Sequence, residues 1–112
     1  MTPLTRSCVF TGLALITGTT LAAGDVASGE AVYNRWCTHC HDTGNEHPGT
    51  MALAAKYKGS LPAPLADRTD MTPEFVHQFV RKGVSIMPFF RKTEISDREL
   101  EDLAAYLTRN NK

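Results

Sequence analysis

The stretch Cys37-Thr38-His39-Cys40-His41 constrains this chain more than any other. It reads Cys-x-x-Cys-His, the spacing of covalent c-type haem attachment. Two thiols three positions apart can each add to one vinyl group of a porphyrin and form two thioether bonds. The histidine after the second thiol is then held under the iron, where one ring nitrogen can serve as axial ligand. Three other chemistries use parts of this pattern. A thioredoxin-like redox pair needs a βαβ setting, and no convincing strand flanks these residues. Zinc could draw on Cys37, Cys40, His41 and His47, but structural zinc sites pair two ligand clusters, and no second cluster follows. A plain disulfide leaves the adjacent histidine unexplained.

Length and charge narrow the rest. A chain of 112 residues makes one domain. With 12 basic and 12 acidic side chains it has no basic field for nucleic acid. Residues 1–23 read as a secretory signal peptide: Arg6, a short apolar core from Val9 to Ile16, and small residues at Leu21-Ala22-Ala23-Gly24. The apolar run falls short of a membrane span. An uncleaved N-terminal anchor is the alternative; with cleavage, no membrane insertion remains. Cys8 precedes the apolar core and is read as a bystander. Cleavage removes Arg6 and Cys8, so acids outnumber cations by one in residues 24–112. Cys37 and Cys40 are then the only thiols, which fits an oxidising, periplasmic compartment.

A first helix from Asp25 leads into the motif. Gly29, Val32, Tyr33 and Trp36 share one face at i, i+3, i+4 and i+7. Asp42 to Thr50 is a loop by composition. A ligating histidine usually donates its second ring N–H to a carboxylate or a carbonyl. The carbonyl of Pro48 is the candidate, and plain loop punctuation the equal alternative. His47 is read as a solvated loop residue. Thr50 to Lys58 can make two helical turns before Gly59. Leu61-Pro62-Ala63-Pro64-Leu65 is a loop.

Thr72-Pro73-Glu74 starts a further helix. Phe75, Val76, Phe79 and Val80 form its apolar face, His77 lies off that face, Arg81 and Lys82 suit its last turn, and Gly83 ends it. Phe89 and Phe90 are assigned to the core. Ser96-Asp97-Arg98-Glu99 is a capping box. It opens a last helix with Leu100, Leu103, Ala104 and Leu107 inward and the acids Glu101 and Asp102 solvated. Arg109 to Lys112 reads as a frayed polar end.

Val84-Ser85-Ile86-Met87-Pro88 is the second functional signal. A methionine between a helix-ending glycine and a proline sits on a non-helical loop. Such a loop can lower a thioether onto the open face of an iron, and Met/His is an axial pair of cytochromes c. The alternative is a methionine filling an irregular gap. Met51, Met71, His47 and His77 are the competing donors.

In this order, the elements resemble class I c-type cytochromes over Val26 to Arg109. The resemblance implies an all-α fold: a class I cytochrome c fold of three to four short helices around one covalently bound haem c. It implies that the first and last helices cross, with Gly29, Tyr33 and the Leu103–Tyr106 region at the crossing. It implies axial ligation by His41 and Met87. The stretch from Arg81 to Lys92 and the short last helix are further similar to the small cytochrome subunits of periplasmic flavocytochromes that oxidise para-alkylphenols. The loop from His41 to Leu53 is longer than the compact segment common among class I cytochromes. The function expected is outer-sphere transfer of single electrons. The expected partner is a flavoprotein dehydrogenase subunit, with a freely diffusing shuttle as the alternative. The chain would not be catalytic alone. A haem enzyme or gas sensor with an open distal face is the remaining class, and the Met87-Pro88 loop argues against it.

Overall fold

The computed structural model of the protein describes residues 23–112, so the expected leader and Cys8 lie outside the described residues, Ala23 excepted. The elements are α1 (Val26–Trp36), α2 (Thr38–His41), α3 (Pro48–Tyr57), a 3-10 turn (Leu65–Asp67), α4 (Pro73–Lys82) and α5 (Asp97–Thr108). The fold is all-α, the class expected; α2 is a single turn. No described helix is long and apolar enough to cross a membrane.

Helix α1 packs most extensively on α5. Its i, i+3, i+4 face supplies Gly29, Val32 and Tyr33, all buried. A Cβ on Gly29 would fall 1.9 Å from the Asp102 carbonyl oxygen, so only glycine lets the two backbones meet. Gly24 meets α5 in the same way, at the Glu101 carbonyl. The Tyr33 and Tyr106 rings lie 5.3 Å apart at this crossing. Around it lie Val76, Val80, Ile95, Leu100, Leu103 and Leu107. Leu103 and Ile95 have no exposed surface. Truncating a side chain so enclosed costs about 2–5 kcal/mol.

The caps follow the sequence. Ser96 and Glu99 form the capping box in full. Thr72 accepts from the Phe75 N–H at the start of α4, and Gly83, at φ 66°, ends it. Several readings are corrected. Asp102 is buried, not solvated: it accepts from the Asp25 N–H at 2.7 Å and sits 3.3 Å from Arg98. Phe89 is 60 % exposed and Phe75 is also exposed, so only Val76 and Val80 of the α4 face are buried. His77 is half-buried, with Nε2 3.4 Å from Glu101. His47 is not in a free loop; it occupies the N-cap position of α3, with its ring turned to the His39 carbonyl. Pro48 is the first residue of that helix, where its missing N–H costs nothing. The C-terminal tail is not frayed: Arg109 and Asn110 donate to the Ala66 carbonyl at 3.1 and 2.9 Å, and Asn111 to that of Met71.

Candidate functional site

The cysteines and His41 lie on the single turn α2, directly after α1. Cys40 and His41 N–H groups both point back to the Cys37 carbonyl, at 3.1 and 2.9 Å. One turn therefore presents two sulfurs and an imidazole together. Both thiols are unbridged. Burial, then the neighbouring Cys40, pushes the Cys37 thiol up to about 12, so it stays neutral. Burial also holds His41 below the ordinary imidazole value, which favours the neutral, ligating form.

This turn is gripped from outside. The Tyr33 hydroxyl donates to the His41 carbonyl at 3.0 Å. The Thr50 hydroxyl donates to the Asp42 carbonyl at 2.7 Å. His47 Nδ1 lies 3.1 Å from the His39 carbonyl. The first turn of α3 thus sits against the end of α2. Gly49 makes that approach possible, since a Cβ there would lie 2.5 Å from the Cys40 carbonyl and 2.8 Å from His41 Nδ1.

The expected bond from His41 to the Pro48 carbonyl is not made: among the described residues, buried His41 Nδ1 has no hydrogen-bond partner. A carbonyl at the first helical position is committed along the helix to the N–H four residues on. Gly49 is packed against His41. Sequence reasoning missed Gly49, Thr50 and the Tyr33 hydroxyl. The rule that proline favours the first helical position would have found the start of α3.

Met87 lies on a closed turn. The Val84 N–H reaches the Met87 carbonyl at 3.1 Å, and the Met87 N–H the Val84 carbonyl at 2.9 Å. Ser85 takes a left-handed φ of 54° to complete it. A Cβ on Gly83 would lie 2.5 Å from the Met87 carbonyl, so this glycine is needed for space as well as for its φ. The chain then returns to α4 through the Phe90 N–H, which reaches the Val80 carbonyl at 2.8 Å. The Phe90 ring meets Trp36 edge-on, with centroids 5.7 Å apart. Trp36 immediately precedes Cys37, and Phe90 follows Met87 by three residues. The two donor-bearing segments are therefore joined by one aromatic contact.

Arg81 holds the same segment in place. It donates to the Phe90 and Ile95 carbonyls at 3.1 and 2.9 Å and pairs with Asp97 at 2.9 Å. From the sequence it looked only like a helix-end cation. The competing donors are engaged elsewhere: Met71 is sealed in the core, His77 faces Glu101, and His47 faces the His39 carbonyl. Met51 is exposed on α3.

The donor set fits a covalently held iron porphyrin. It offers two free thiols on one turn and a neutral imidazole whose Nδ1 no protein group engages. No group of three or more His, Cys, Asp or Glu suited to a bare metal ion occurs among the described residues. Residues 24–107 match the family model described as cytochrome C oxidase, cbb3-type, subunit III. Comparison with curated proteins and with solved structures gave no match.

Proposed function

The chain belongs to the family of cbb3-type cytochrome c oxidase subunit III, whose cytochrome c domain is a haem-based electron carrier, and on that premise we propose that it holds one haem c between His41 and Met87 and passes single electrons. Bound haem c supplies the Fe(III)/Fe(II) couple, and thioether ligation raises its potential. The chain's own residues do the rest. Cys37 and Cys40 form the thioether bonds. His41 offers a neutral imidazole on a fixed turn, and Met87 a sulfur on a stiff one. With His41 and Met87 both serving as donors, no substrate would reach the metal, so the transfer would be outer-sphere. The Trp36–Phe90 contact carries this reading, because it draws the methionine turn to the cysteine-histidine turn.

A reduced-minus-oxidised visible spectrum with a pyridine haemochrome assay tests it. The expected result is one haem per chain with both vinyl groups saturated. A colourless protein with both thiols free or bridged to each other overturns the reading. Rapid carbon monoxide binding by the reduced protein at neutral pH would move it to an open-face enzyme or sensor.

The proposed location is the periplasm, after removal of residues 1–23. The proposed donor is a flavin-dependent dehydrogenase or hydroxylase of para-alkylphenols, supported by the likeness of Arg81 to Lys92 to flavocytochrome subunits. The family match favours a second reading, in which the domain delivers electrons to a terminal oxidase. Co-purification with a flavoprotein supports the first; stoichiometric association with oxidase subunits supports the second.

A further inference from the structure

Tyr33 is a core residue with one polar atom, and that atom is not idle. Its ring is 3 % exposed and packs on Tyr106 in the crossing of α1 and α5. A phenylalanine would fill the same space. The hydroxyl, however, donates to the His41 carbonyl at 3.0 Å, eight residues along the chain. Burial is the first cause that holds the phenol far above its ordinary range, so it remains a donor.

A buried hydroxyl needs a partner, and many acceptors would serve. Here the partner is the main chain of the residue that carries the imidazole. The imidazole makes no hydrogen bond at Nδ1 among the described residues, the atom through which a ligating histidine usually donates and is oriented. The ring is instead confined by Gly49, while its backbone is fixed by Tyr33.

We propose that Tyr33 is a positioning residue, whose hydroxyl sets the main chain of His41 and so the orientation of the axial imidazole on the iron. The contact acts on the backbone of the iron ligand and ties it to the packing of α1 on α5. This inference rests on His41 being the axial ligand.

The test is resonance Raman in the Met87→Ala background, whose open iron face takes carbon monoxide. Photolysis of the ferrous adduct leaves a five-coordinate haem and reads the iron–histidine stretch, with Tyr33→Phe and Tyr106→Phe each added to that background. Tyr33→Phe keeps the ring and removes only the O–H. The expected result is a shifted, broadened band in Tyr33→Phe and an unshifted band in Tyr106→Phe. The Tyr106 ring packs in the same crossing, but its hydroxyl bonds to no residue of the motif among the described residues. An unshifted band in Tyr33→Phe, with wild-type helicity, overturns the proposal. A Met87→Ala protein with no iron–histidine band overturns the His41 assignment instead. Should Tyr33→Phe fail to accumulate, the wild type decides. Its Tyr33 hydroxyl proton must appear as a slowly exchanging NMR resonance with a cross-peak to the Asp42 N–H, and absence of that proton overturns the proposal.

Discussion

The turn that carries His41 is gripped by side chains from two helices, whereas the turn that carries Met87 closes on itself. On the first, hydroxyls of Tyr33 and Thr50 and the ring of His47 reach three successive stretches of carbonyl between His39 and Asp42. On the second, Val84 and Met87 satisfy each other, and Ser85 accepts a left-handed φ to allow it. Outside help reaches the second turn only past Met87, at Phe90, through Trp36, Val80 and Arg81. Its neighbours Ile86 and Phe89 are exposed. An axial ligand supported over three separate contacts should survive perturbation that releases one supported locally. The difference predicts that loss of structure begins on the methionine side.

The largest effect expected is from His41→Ala. It removes the proximal donor and leaves only the thioether bonds, so holoprotein yield should fall to near zero by pyridine haemochrome assay. Met87→Ala should be milder. Covalent haem remains, the weak far-red band of the oxidised protein disappears, and the reduction potential falls in a spectroelectrochemical titration. If the two variants lose haem equally, the asymmetry between the turns is broken.

Arg81→Ala sharpens the comparison without touching a donor. It leaves the Phe90 and Ile95 carbonyls without their guanidinium partner. We expect a loss of about 1–3 kcal/mol in a denaturant titration. The far-red band should be lost at lower denaturant than the Soret shift that reports His41, and simultaneous loss of both would argue against independent turns.

The smallest effect is on pH. Hydrogen bonds from Lys92 and then Arg81 hold the Asp97 carboxyl below its ordinary 3.8. A lowered carboxylate stabilises the fold fully above the unfolded value and loses that contribution as pH falls through the folded one. Acid should therefore weaken the far-red band below about pH 4, and Asp97→Asn should remove that acid dependence. A wild-type band flat down to pH 2 would show that Asp97 does not support the methionine segment.

Much of this contrast was readable from the residues, and the unread part has a physical pattern. Periodicity found the buried faces of α1 and α5 because their helices are amphipathic and well capped. Gly29 was found because a small residue on an apolar helix face permits close approach. Asp102 was missed because its position on the helix belongs to the acidic side. Its partner, the Asp25 N–H, lies 77 residues away and leaves no local signal. Arg81 and the tail residues Asn110 and Asn111 failed for the same reason: each finds carbonyls far along the chain. In the site, the two proposed donor motifs stand out in the sequence, since attachment of a haem at two thiols would fix the Cys-x-x-Cys-His spacing and a Met-Pro after a helix-ending glycine marks a non-helical loop. The grip on the His41 turn does not, because tyrosine and threonine hydroxyls look like ordinary core and cap residues until the fold brings them to a carbonyl.

Trp36 is the sole tryptophan of the chain, and its indole rests on the aromatic ring three residues beyond Met87. The protein thus carries an intrinsic fluorophore at the seam between its two turns. A porphyrin nearby darkens such emission, and departure of the methionine segment uncovers the indole edge. Opening of the weaker side can be timed by light from the unlabelled molecule, with no reporter group added.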